Sequence, residues 1–158
     1  MDASRKHSLP KGFTLPETLM TIALLAILLS LSALAGNESY QRALAVNDVE
    51  RMAGVLRHAR SLAQAKACRV PPCSEAQAQG VYIFRGGIHM FEGDEFKESS
   101  VFESITLSDA LLIEPMEVIF LPRSGNALRG GSLRMTDALG RSRTITVSEI
   151  GVIAVEPF

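Results

Sequence analysis

Between Thr18 and Gly36 this chain carries no charged residue at all. That gap excludes an ordinary surface helix, which needs a polar face, and a core helix of that length would carry more polar interruptions. The apolar run is long for a secretory signal and flows on into an amphipathic pattern with no convincing cleavage site after it, so a cleaved secretory signal is also a poor reading. Walker loops, Gly-x-Ser-x-Gly elbows and His-Glu-x-x-His helices are missing, and no Ser, His and acidic residues fall at a spacing that argues for a triad. We therefore expect no catalytic residue and no cofactor, and the chain does not read as an enzyme. There is no second cysteine pair beside Cys68 and Cys73, and His7, His58 and His89 are scattered, so a metal site is not expected. A net charge of -1 with 47% hydrophobic residues describes neither a disordered chain nor one that is nucleic-acid-like overall.

What the chain does hold is sharply segregated. Residues 1–12 contain Arg5, Lys6 and Lys11 against a single Asp2. Phe13 to Ala35 then has Glu17 as its one charge. As a helix, the 19 uncharged residues Thr18–Gly36 reach roughly 28 Å, matching a hydrocarbon core of ~30 Å. Basic residues before the span and a mixed-charge region after it place the N-terminus in the cytoplasm.

Beyond the span, Ala45, Val49, Met52, Leu56, Ala59 and Ala63 recur at three- and four-residue spacing. Arg42, Asp48, Glu50, Arg51, Arg57, Arg60 and Gln64 lie mostly off that stripe, which predicts an amphipathic helix laid on a domain. Gly36-Asn37 reads as a bend, and Pro71-Pro72 require the helix to end near Ala67. Afterwards the period changes. Gly80–Phe84, Ile88–Phe91, Val101–Leu107, Val118–Leu121, Ser132–Met135, Thr144–Val147 and Val152–Val155 read as short strands, many of them separated by glycine turns. The expected fold is α+β: a long N-terminal helix, half membrane-spanning and half amphipathic, packed on a small antiparallel β-rich domain. The expected boundaries are 1–12, 13–36, 37–67 and 68–158.

Cys68 and Cys73 bracket Arg69-Val70-Pro71-Pro72. In an exported domain, two cysteines this close are most simply a disulfide, with free thiols the main alternative and a metal pair a weak one. Charge is uneven as well. From Glu92 to Glu117 there are eight acidic residues and one basic; from Arg123 to Arg143 there are five arginines and one acid. Such polarity orients contacts between unlike neighbours, or pairs within the domain itself.

Lys11-Gly12-Phe13-Thr14-Leu15-Pro16-Glu17 followed by an apolar run resembles the class III signal of type IV prepilins and type II secretion pseudopilins. The resemblance implies a 1–12 leader removed by prepilin peptidase after Gly12, N-methylation of Phe13, and a role for Glu17 in assembly. Pro16 departs from the commoner aliphatic residue, at little cost in a first helical turn. The resemblance further implies an inner-membrane, single-pass subunit whose C-terminal domain is periplasmic or extracellular. Its partners would be other pilin or pseudopilin subunits, the peptidase, the inner-membrane assembly platform and membrane lipid. More loosely, Val118–Gly125 and Ile145–Ile153 are similar to the C-terminal domain of minor pseudopilin H and FimT-type minor pilins, which leaves the middle of the chain poorly matched.

Three functions follow. The first is a minor structural subunit of a type IV pilus or a type II secretion pseudopilus. The second is a DNA-binding minor pilin for DNA uptake, with Arg57, Arg60, Lys66 and Arg69, or the Arg123–Arg143 stretch, as phosphate contacts. Against it, residues 13–158 hold 13 basic and 16 acidic residues, and the C-terminus has no basic tail. The third is an enzyme or solute-binding domain on a signal anchor.

Overall fold

The computed structural model describes residues 13–66, 69 and 77–156. One helix, α1 (Leu15–Gln64), is followed by nine strands among the described residues. They are β1 (Gln79–Phe84), β2 (Gly87–Glu92), β3 (Val101–Thr106), β4 (Leu111–Ile113), β5 (Met116–Phe120), β6 (Ala127–Arg129), β7 (Gly131–Asp137), β8 (Ser142–Val147) and β9 (Ile153–Val155). The chain divides into two compact units, Met1–Ser39 and Tyr40–Phe158. The first contains the N-terminal half of α1.

The second unit is an α+β domain. Its strands form two antiparallel sheets, one ordered β3-β2-β1-β5-β6 and the other β4-β7-β8-β9. Each is built mostly from hairpins, with one pairing between strands distant in sequence, β1 with β5 in the first and β4 with β7 in the second. The six-residue stripe expected on the helix is the face that packs: Ala45, Val49, Met52, Leu56, Ala59 and Ala63 are all buried, the most accessible at 1%. They join Val81, Ile83, Ile88, Met90, Val118 and Phe120 of the first sheet and Leu133, Met135, Ile145 and Val147 of the second in one core. Smaller residues flank Met52 and Leu56 along the stripe, which lets the helix approach the sheets closely while two long side chains fill the space between.

Asp48 departs from the expected pattern. Read as off the stripe, it is buried at 2% exposure. Its carboxylate accepts hydrogen bonds from the backbone N–H of Ser108 (3.0 Å) and from the Ser108 hydroxyl. A buried carboxylate is tolerable only when so satisfied, and this one ties the helix to the β3–β4 loop.

The C-terminal end of α1 is clamped as well. Lys66 adopts a left-handed conformation (φ 55°), which stops the helix just short of the expected end near Ala67. The Ala63 carbonyl, one of those a helix end leaves unpaired, accepts from Lys66 N–H (3.2 Å) and from Arg123 N–H (2.9 Å). Arg60 donates from Nε to the Gly125 carbonyl (3.2 Å) and from a terminal nitrogen to the Ile150 carbonyl (3.1 Å). Gly151 is required where these loops meet, because a Cβ there would strike the Gly125 carbonyl oxygen. Gly36 and Asn37, read as a bend, both lie within α1. An interior glycine weakens a helix by only ~1 kcal/mol, so it need not end one.

Two strands were not expected, β4 and β6. Each is three residues long and edges its sheet or nearly so, pairing on one side only. Thr144–Val147 alternates as expected, with Ile145 and Val147 buried and Thr144 and Thr146 half-buried.

On the face of the first sheet turned away from the helix, Tyr82 lies opposite both His89 and Glu117, and His89 lies opposite Ser104. Phe96 folds over this row, its ring 4.4 Å from Tyr82 and edge-on to Phe91 at 5.4 Å. Its N–H donates to the Glu117 carboxylate (2.7 Å). The same carboxylate pairs with Arg129 at 2.6 Å. One acid of the Glu92–Glu117 stretch thus meets one arginine of the Arg123–Arg143 stretch inside the domain.

Two measurements check this packing. Met52→Ala, which leaves a cavity between helix and sheets, is expected to cost about 2–5 kcal/mol in denaturant unfolding. The second concerns Asp137, buried at the end of β7. Burial pushes its carboxyl up. Hydrogen bonds from the Arg141 side chain (2.8 Å) and from the Arg141 and Leu139 backbone (2.9 Å each), with the Arg141 charge, outweigh burial and hold it below the ordinary value of 3.8. A lowered folded value contributes stability that is complete above the unfolded value and lost as pH falls through the folded one. Asp137→Asn should therefore be less stable than wild type at neutral pH, and the gap should close below about pH 4.

Candidate functional site at the head of the helix

Of the residues singled out at the junction, Gly12 lies outside the described residues, as do Cys68 and Cys73. Phe13 and Glu17 are described. Phe13 precedes α1 and is 77% exposed. Glu17 falls in the first helical turn, where the helix dipole favours negative charge.

The local geometry adds a function for Glu17 that was not expected from its charge alone. The Thr14 carbonyl accepts the first helical hydrogen bonds, from Glu17 N–H (3.0 Å) and Thr18 N–H (3.1 Å), making Thr14 the N-cap. In return the Glu17 carboxylate accepts from Thr14 N–H at 3.5 Å, the long end of a hydrogen bond. Thr14-Leu15-Pro16-Glu17 thus has the spacing of a capping box, a Thr followed three residues later by Glu before an apolar run, with the Glu17-to-Thr14 half of the pair made. Pro16 fits because an N–H in the first turn has no helical acceptor. The sequence contained this signal: the Thr-x-x-Glu spacing stands beside the Gly-Phe junction.

Past the cap, the helix is apolar on every side. Leu19, Met20, Ile22, Leu24, Leu25, Ile27, Leu28, Leu29 and Leu31 are all at least 56% exposed. The hydroxyls of this stretch turn inward to the backbone. Thr18 donates to the Leu15 carbonyl (2.8 Å), Thr21 to Thr18 (2.9 Å), Ser30 to Ile27 (2.8 Å) and Ser32 to Leu28 (2.8 Å). Each hydroxyl therefore has an acceptor within its own helix and needs no water, which is the condition for a polar group in hydrocarbon. This is the one helix among the described residues long and apolar enough to cross a membrane. A core helix would be buried, and this stretch is not. The geometry is consistent with membrane anchoring.

Three of the basic residues considered as phosphate contacts have partners for their side chains within the domain. Arg60 holds two loop carbonyls, Arg129 pairs with Glu117, and Arg141 pairs with Asp137 at 2.7 Å. Arg69 donates its backbone N–H to Glu92 (3.0 Å). His58 and His89 lie on the helix and on β2, and His89 is hydrogen-bonded to the Ser104 hydroxyl at 2.8 Å.

No curated protein and no solved structure matches this chain. Residues 9–33 match the family model of the prokaryotic N-terminal methylation motif. The match begins in the basic leader, crosses the Gly12–Phe13 junction and the capping box, and ends in the exposed apolar helix. That motif, heading a long helix packed on an antiparallel β-rich domain, supports a type IV pilin-like prepilin.

Proposed function

We propose that this protein is a minor pilin or minor pseudopilin, of the pseudopilin H or FimT type, in a type IV pilus or a type II secretion pseudopilus. It is a structural subunit, not an enzyme. Prepilin peptidase cuts after Gly12, Phe13 becomes the methylated N-terminus, and residues 13–36 hold the subunit in the inner membrane. The N-terminus faces the cytoplasm and the domain faces the periplasm or the exterior, until the assembly platform draws the helix into a filament. The observation that carries this reading is the methylation motif at residues 9–33, set at the head of an exposed apolar helix.

Glu17 has two tasks in this account. Within the subunit it caps the helix. Between subunits, its carboxylate neutralises the terminal amine of a neighbouring Phe13, since a charge in lipid costs several kcal/mol without a partner. Such a pair is satisfied only at one relative height of the two helices, so it sets axial register.

Two substitutions separate these tasks. Glu17→Gln removes the charge and keeps an acceptor for Thr14 N–H; Glu17→Ala removes both. Both variants should be cleaved and should remain in the membrane, because loss of a charge favours lipid. Both should be depleted from sheared filaments. If Glu17→Gln assembles as wild type does, the charge sets no register and only the cap matters.

Cys68 and Cys73 are proposed to form a disulfide that closes a six-residue loop at the helix exit. So short a loop constrains the exit more than it stabilises the whole domain. Mass spectrometry without reduction should show the chain ~2 Da lighter than the dithiol. Complete labelling of both thiols before reduction would contradict it.

A further inference from the structure

Two exposed charge clusters lie at opposite ends of the β1–β2 hairpin. At the turn end, Arg85, Leu112, Ile113, Glu114, Arg134 and Thr136 line an open notch of about 400 Å³. Arg85 comes from the β1–β2 turn and Arg134 from β7, so the notch bridges the two sheets. Both arginines are exposed, and neither takes part in an ion pair among the described residues. Arg134 has only a long contact to the Ser142 hydroxyl, at 3.4 Å. Glu114 offsets one of the two guanidinium charges and leaves the notch net positive.

At the other end, the chain leaving β2 carries Asp94, Glu95 and Glu98, all exposed. Lys97 reaches Glu95 only loosely, at 3.9 Å with both side chains about two-thirds exposed. Asp94 and Glu98 are in no ion pair among the described residues. This acidic loop is held in shape by Phe96, stacked on Tyr82 and bonded through its N–H to Glu117. A loop already ordered loses little entropy when it docks.

We propose that the Arg85–Arg134 notch receives the Asp94–Glu98 loop of a second copy of this chain. The six residues of β2 separate turn and loop by about 20 Å, so the two halves cannot meet within one molecule. Opposite charges at opposite ends of one rigid hairpin make a head-to-tail contact, in which the notch of one copy takes the loop of an adjacent one. The contact concerns residues 85–136 alone and stands whether or not the chain is processed at Gly12.

The test uses the full chain in detergent, with differently tagged copies captured on one another. Wild-type capture should fall between low salt (~50 mM) and high salt (~500 mM), because exposed charges are screened. Arg134→Glu paired with itself should lose at least about tenfold at low salt, through like-charge apposition. Arg134→Glu mixed with Asp94→Arg/Glu98→Arg should recover capture, since each mixed pair restores one complementary contact. Capture through the apolar helices is common to every variant, insensitive to these charges, and cancels in the comparison. Salt-independent wild-type capture, or no recovery in the mixed pair, would overturn the proposal. So would loss of duplex-DNA binding in Arg134→Glu with self-capture unchanged, which would assign the notch to phosphate.

Discussion

Nine large apolar side chains between Leu19 and Leu31 are exposed, each more than half so. Burying one such side chain is worth about 1.5–3 kcal/mol, so the stretch stabilises whatever environment accepts it by far more than a domain's own marginal stability. Lipid satisfies that requirement, and so does a bundle of identical helices inside a filament. The inward-turned hydroxyls of Thr18, Thr21, Ser30 and Ser32 make both environments acceptable, because neither supplies water. In the proposed assembly, a subunit built this way would move from membrane to filament without changing which atoms it hides. Only the charged groups proposed at the head, Glu17 and an amine at Phe13, would then distinguish one position along the axis from another.

The domain meets a different need, that of holding the helix in one register against two sheets. Apolar contact alone is poorly suited to this, since a stripe of alanines and valines can slide by a turn. Polar anchors at both ends of the packed stretch prevent it. Asp48 is fixed to Ser108 near the start, while Arg60 and the Ala63 carbonyl are fixed to the loops after β5 and β8 near the end. Buried or half-buried polar contacts of this type contribute modestly to net stability, but are costly to leave unmade, so they discriminate between registers. Force applied along the helix would reach the sheets through these contacts as well as through the core.

Much of this was legible in residue order because the strongest signals are periodic or absolute. A 19-residue absence of charge, a stripe at helical spacing and the clean alternation of Thr144–Val147 each correspond to one geometry. What could not be read depended on contacts distant in sequence. Asp48 looked like a surface acid because its partner lies sixty residues away. Leu111–Ile113 and Ala127–Arg129 are too short to show a period, and they become strands only because β7 and β5 offer an edge. Phe96 falls outside every expected strand and finds its place only against Tyr82 and Phe91. At the helix head the difficulty was of another kind. Glu17 was conspicuous as a charge at the edge of a span, and that prominence hid the simpler fact that it stands three residues after Thr14.

Processing at the junction between leader and helix precedes every later step proposed for the protein, and the covalent state of the protein taken from native membranes reports on it directly. The intact mass should correspond to a chain that begins at Phe13, lacks residues 1–12 and carries one added methyl group. A full-length chain, recovered from cells that process their other prepilins, would contradict it.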